Sequence, residues 1–157
     1  MKITHILLMV SSTLYADTLF LIPHQWHDAR HRIGELFHHA PGPLTIVTDT
    51  LQDGVLRHAL QKRIDKGQTV TLMTPSRETA SRWAIYRNLH VCILADRRAL
   101  GYSIAVAGKE EGCLFTDAFS TAAFRRGGMM QCSDAADYAP AVEQLKKECR
   151  PYFTPGL

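Results

Sequence analysis

The spacing of apolar residues switches repeatedly between short continuous runs and a helical period. Residues 17–22 form an apolar run that stops at Pro23, which predicts a short buried strand. Trp26, Ala29, Ile33, Leu36 and Phe37 then recur at helical spacing, so residues 26–40 are expected to form a helix with one stripe facing a core, ended by Pro41-Gly42-Pro43. Leu44-Thr45-Ile46-Val47-Thr48 is β-branched and strand-like. Residues 49–53 turn into a second helix, whose Val55, Leu56, Ala59, Leu60 and Ile64 make the apolar stripe and whose stop is Gly67. Residues 70–73 predict the next strand. Ser76 caps a third helix carrying Ala80, Trp83, Ala84 and Leu89, which leads into a strand at residues 91–94. After that the rhythm changes. The run Ser103-Ile104-Ala105-Val106-Ala107, the polar turn at 108–112 and the return at 113–116 predict a hairpin with no intervening helix. A last strand is expected at 128–132, a closing amphipathic helix at 137–149, and a tail from Pro151.

Strands alternating with helices imply a largely parallel sheet covered by helices, and the appended hairpin makes it mixed. The fold class expected is therefore α/β, with a mixed β-sheet flanked by helices in a single domain. Composition agrees: 157 residues, 46% hydrophobic and 21% charged, suit one domain with a substantial core and exclude disordered, collagen-like and coiled-coil chains. The start of the chain stands apart. Lys2, the apolar run Ile6-Leu7-Leu8-Met9-Val10 and Ala16 before Asp17 have the order of a secretory leader, so residues 1–16 are expected to be a signal peptide and 17–157 the exported domain, periplasmic or secreted. No other run is long enough to span a membrane. Without Lys2 the chain keeps 17 basic against 15 acidic residues, a net +2, so any attraction for polyanions must come from local clustering.

Four cysteines, Cys92, Cys113, Cys132 and Cys149, fall in the expected exported part, where an even count suggests disulfides with three connectivities open. Cys92 and Cys113 suit buried thiols on strands, and a single bridge from Cys132 to Cys149 is expected. His24, His27 and His31 lie three and four residues apart, but such a pair on one helical face supplies only two ligands, so no metal site is expected and no cofactor is implied. A Ser-His-acid hydrolase is excluded by the lack of a Gly-x-Ser-x-Gly elbow.

The strand at 90–95, the Arg97-Arg98 corner and the hairpin, preceded by two helix-strand units that include Leu44–Thr50, Gly54–Gly67 and Val70–Met73, resemble the nuclease-type, single-motif branch of the phospholipase D superfamily. The resemblance covers roughly residues 17–145. It implies that the first hairpin strand should carry His-x-Lys-x4-Asp and that Gly-Ser-x-Asn should follow the turn. Here the His, Lys and Asp positions fall on Gly101, Ser103 and Gly108, and the second motif on Thr116 and Asp117. None of the eight histidines has a lysine two positions on. The family attacks a phosphodiester with an imidazole while lysine and asparagine hold the phosphate oxygens. The resemblance therefore implies a scaffold without catalytic residues, acting as a binding module for a partner protein, a nucleic acid or a phosphate-bearing ligand. Its candidate anion-binding residues are Arg97, Arg98, Arg125 and Arg126, placed at the rim of the old site. The alternative is a divergent phosphodiesterase or nuclease using a histidine of the 24–31 cluster. The resemblance also implies a homodimer, since single-motif members pair two motifs in one site.

Overall fold

The structure, a computed structural model, describes residues 17–152. The expected signal peptide at 1–16 lies outside the described residues. The elements in chain order are β1 (Thr18–Ile22), α1 (Trp26–His39), β2 (Leu44–Val47), α2 (Gly54–Asp65), β3 (Val70–Thr74), α3 (Arg77–Trp83), β4 (Leu89–Ile93), β5 (Ser103–Ala107), β6 (Glu111–Phe115), α4 (Thr121–Arg126), β7 (Gly128–Asp134), a 3-10 turn (Ala135–Asp137), α5 (Ala139–Glu148) and β8 (Arg150–Pro151). The strands form one eight-stranded mixed sheet in the order β1-β7-β6-β5-β2-β3-β4-β8. β2, β3 and β4 run parallel, while the β2–β5, β5–β6, β6–β7, β1–β7 and β4–β8 pairs are antiparallel.

Helices α1 to α4 cover one face, burying Phe20, Ile33, Phe37, Ile46, Leu60 and Leu72 among others. α5 covers part of the other face, where Val47, Met73, Leu94 and Ile104 meet Tyr138, Val142 and Leu145. Tyr138 seats that helix: its ring lies so close over Gly112 that a Cβ there would come within 2.5 Å of it, and its hydroxyl donates to the Gln131 carbonyl and accepts from Ser133, each at 2.9 Å. Burial raises the Tyr138 pKa.

The α1–α2 pair is tied at its far end by Arg63, which has no exposed surface. Its guanidinium donates to the carbonyls of Phe37 (3.1 Å), Ala40 (2.8 Å) and Gly42, closing the end of α1 and the proline turn after it. It forms no ion pair among the described residues, and desolvation lowers its pKa.

Three sequence expectations are corrected. Leu89 belongs to β4 and not to the third helix, because α3 stops at Trp83 and residues 84–88 turn back toward the sheet. Residues 121–126 form a short helix and residues 150–151 an edge strand where none was expected. The cysteines are all bridged, as Cys92–Cys149 and Cys113–Cys132, and not as Cys132–Cys149 with two thiols. Cys113 and Cys132 face each other across β6 and β7, while β8 brings the end of α5 against β4, so each sheet neighbour takes the other's sulfur. Two disulfides suit an oxidising compartment. Among the described residues, no helix is long and apolar enough to cross a membrane.

Loop-closure entropy favours the wider bridge. Cys92–Cys149 spans 57 residues and Cys113–Cys132 spans 19, which corresponds to roughly 4 and roughly 3 kcal/mol respectively. Denaturant unfolding of Cys149→Ala in a Cys92→Ala background is expected to show the larger loss; a larger loss from the Cys113/Cys132 double variant would contradict that account.

Candidate functional site

The carboxyl ends of β2, β3 and β4 set the edge at which an open α/β sheet presents its ligands. Antiparallel β5 begins at this edge, β6 ends at it, β7 begins at it, and the loops at 48–53, 94–102 and 116–120 lie along it. β4 and β5 are not neighbours. The 94–102 loop must cross the ends of β3 and β2 to reach β5, and the Asp49 carboxylate holds it there, accepting from Leu100 N at 2.8 Å and from Gly101 N at 3.2 Å.

Gly101 is exposed at a φ of +74°, with open space where a side chain would project. Ser103 is fully buried. Its hydroxyl lies 2.8 Å from Thr48 Oγ1 and donates to the Asp117 carbonyl at 2.8 Å. Thr48 Oγ1 in turn lies 2.8 Å from the Thr50 carbonyl and accepts from Phe119 N at 3.2 Å. Two hydroxyl protons thus serve three oxygen contacts, and neither is left for a ligand. Gly108 stands at the opposite edge, in the β5–β6 turn. It has φ +55°, and a Cβ on it would sit 2.9 Å from the Pro41 carbonyl, so an aspartate does not fit. Thr116 bonds Met129 through its hydroxyl at 2.9 Å, and Asp117 spends one oxygen on Ala118 N at 2.7 Å and the other on Arg126 at 2.9 Å.

The four arginines are not gathered at one point. Arg97 leaves the crossing loop to make a two-pronged pair with Glu148 of α5 at 2.8 and 3.1 Å. Hydrogen bonding to Arg97 holds the Glu148 carboxyl below its usual range and raises the Arg97 pKa. Arg98 is exposed in the same loop. Arg126 is tied to Asp117, while exposed Arg125 stands 5.8 Å from the ring centre of Trp26, whose ring also carries Arg30 at 4.7 Å. Arg30 reaches Asp53 at 3.4 Å, and Asp53, fully buried, also caps α2 and accepts from Thr121 at 2.9 Å. Asp53 and Trp26 are therefore site-forming residues, where the sequence pattern alone assigns a turn and a core position. An aspartate just before a helix is the signature of a cap, but nothing in the sequence links it to residues 30 and 121.

Of the histidines, His24 and His27 are exposed near the start of α1, at the same edge as Trp26, and His31 lies farther along α1. The single asparagine, Asn88, lies before β4 at the opposite edge and donates to the Ile64 carbonyl. Lys62 and Lys66 end α2 and Lys109 tops the hairpin turn, away from the carboxyl edge, whereas Lys146 and Lys147 lie in the last turn of α5 beside Glu148, the partner of Arg97.

Thr48→Val is expected to cost about 1–3 kcal/mol by orphaning the buried Phe119 amide, and Ser103→Ala about 1 kcal/mol, both measured by chemical unfolding. Because the Glu148 pKa is depressed in the folded chain, the pair with Arg97 contributes fully above the ordinary glutamate pKa and is lost as pH falls through the depressed value. Arg97→Ala should move the Glu148 titration upward when followed by carboxyl NMR shifts; an unmoved titration would show that the pair does not form in solution.

No family model matches this sequence, and no curated protein matches it. Solved structures do. NucT from Helicobacter pylori superposes with a TM-score of 0.72 at 15% identity, over 87% of this chain and 98% of that one. Nuc from Salmonella typhimurium, a phospholipase D family member, gives 0.67 at 12% identity over 88% and 99%. TrmBL2, an archaeal chromatin protein with a novel mode of DNA binding, gives 0.54 at 12% identity, over 93% of this chain and 59% of that one. At these identities the likeness is one of fold, and the chain has the mixed α/β fold of NucT and of the phospholipase D family member Nuc.

Proposed function

We propose that this chain is an exported, catalytically inactive phospholipase D-like domain that binds a phosphate-bearing polyanion at the carboxyl edge of its sheet. One observation carries the reading: the position matching the family's lysine is Ser103, fully buried, with its hydroxyl committed to Thr48 and the Asp117 carbonyl. The position matching the nucleophile is Gly101, and the single asparagine, Asn88, stands at the opposite edge. Besides its carboxylates, the edge retains cationic and aromatic groups. Arg125 and Arg30 flank Trp26, and Arg98 is exposed in the crossing loop. Guanidinium groups held against a ring suit phosphate recognition without chemistry. The two disulfides fit the exported location. The homodimer implied by the resemblance is part of the proposal and is read by sedimentation.

A second reading, a divergent phosphodiesterase, is favoured by the fold shared with NucT and by His24 and His27 standing at the same edge. Purified protein is expected to leave bis-p-nitrophenyl phosphate and single-stranded DNA intact. Turnover that disappears in His24→Ala, His27→Ala or His31→Ala would establish the second reading instead. For binding, Arg125→Ala with Arg126→Ala should weaken retention of a single-stranded polyanion and flatten its salt dependence by about 0.7 in log–log slope for each phosphate left unneutralised. An unchanged slope removes these arginines from the interface.

A further inference from the structure

We propose that the groove between α2 and α3 is a second binding site, taking one nucleobase with its phosphate. The groove has a volume of about 290 Å³, with Gly54, Arg57, His58 and Gln61 of α2 on one wall and Trp83 and Tyr86 on the other. A separate recess of about 40 Å³ shares Arg57, Trp83 and Tyr86 with it and is also lined by Arg82 and by Leu51, which pairs with Phe119 beside the carboxyl edge. This site is lined by none of the four arginines predicted from the sequence, and its case does not depend on the polyanion reading of that edge.

Three features select the ligand. The floor is aromatic: Trp83 and Tyr86 have ring centres 5.5 Å apart at 40°, and Tyr86 is half-buried, so its exposed part can stack on a planar ring. Trp83 is only 5% exposed, yet its indole N–H finds no acceptor among the described residues. The only fully enclosed unpaired side-chain polar atom among them is Arg63 Nε, so the indole N–H keeps some contact with solvent, and on a residue that lines the groove it is a donor available to the edge of a base.

The third feature is charge. No carboxylate lines either cavity. Arg82 is paired with Glu78 at 2.7 Å, but Arg57 is exposed and makes no ion pair among the described residues. A guanidinium beside His58 and the Gln61 amide suits a phosphate, with the ring held on Tyr86. Ligand pockets usually start near 300 Å³, so this groove has room for one nucleotide unit and not for a duplex. The same chemistry is presented by a free nucleoside monophosphate and by the phosphorylated end of a single strand.

The chain has two tryptophans, so Trp26→Phe leaves Trp83 as the sole reporter. Its emission is followed during titration with adenosine 5′-monophosphate and, separately, with a short 5′-phosphorylated oligothymidylate, with far-UV circular dichroism confirming the fold of each variant. Saturable quenching is expected, weakened about tenfold or more by Arg57→Ala and similarly reduced by Tyr86→Ala. Equal response to both probes identifies the nucleotide unit as the ligand, and response to the oligonucleotide alone identifies a strand end. No saturable quenching by either probe, equal affinity for inorganic phosphate, or an unaffected Arg57→Ala variant would overturn the proposal. Arg125→Ala with Arg126→Ala is expected to leave this titration unchanged, which separates its outcome from that of the carboxyl-edge reading.

Discussion

The hydroxyls of Thr48 and Ser103, 2.8 Å apart, sit at the seam where the parallel part of the sheet meets the antiparallel part. Buried polar groups must be paired, and here two protons are shared among Thr50, Ser103 and Asp117 oxygens while Thr48 also takes the Phe119 amide. That constraint fixes three segments at once: the end of β2, the start of β5 and the loop after β6. It also determines what the edge can do. A hydroxyl engaged on both sides is a structural group, and a cation at position 103 would have to displace the Asp117 carbonyl to reach solvent.

The α1–α2 pair is held at both ends by buried charges that bridge separate segments. Asp53 accepts from two α2 amides, from Arg30 and from Thr121, which links the start of α2 to α1 and α4. Arg63 does the converse at the other end, using a guanidinium to satisfy carbonyls that end α1. Removing one partner from such a centre leaves an uncompensated buried charge or dipole, which costs more than the bond was worth. The α1–α2 pair is thereby clamped at both ends, and Gly54, Arg57, His58 and Gln61 of α2 are left free to line a groove.

The sequence is legible where periodicity and punctuation agree. Pro41-Gly42-Pro43, Gly67 and the 108–112 turn locate element ends closely, and the shift from helical units to a hairpin reveals the mixed sheet. It misleads where the signal is tertiary. Leu89 fits a helical stripe as well as a strand, and only its pairing with Val70 decides the matter. The disulfides depend on which strands are adjacent, and residues 113 and 132 become opposite only once β6 and β7 pair in register. Arg63 looks like one of several basic residues at a helix end, since nothing local reports that the turn at 40–42 folds over it. At the candidate site, Gly101 and Ser103 can be named only from the family resemblance, and the burial of Ser103 depends on Asp117 and Phe119, which are distant in the chain.

The contrast between edge and flank bears on how a domain of this kind can bind. At the edge, Asp117, Asp49 and Glu148 are already engaged, with Arg126, with the crossing loop and with Arg97, so much of the polar surface there is internally paired. A ligand arriving at the edge must compete with those bonds or use the exposed Arg98, Arg125 and the Trp26 ring. On the flank, Arg82 is held by Glu78, while Arg57 and the Trp83 N–H have no internal partners, among the described residues, to give up. Binding free energy is the surplus over interactions broken, so the unpaired cation is the better starting point for affinity even though the paired ones are more numerous. Residual net charge is a poor guide to this distinction; what separates the cations available to a ligand from the rest, at edge and flank alike, is whether each already has its anion.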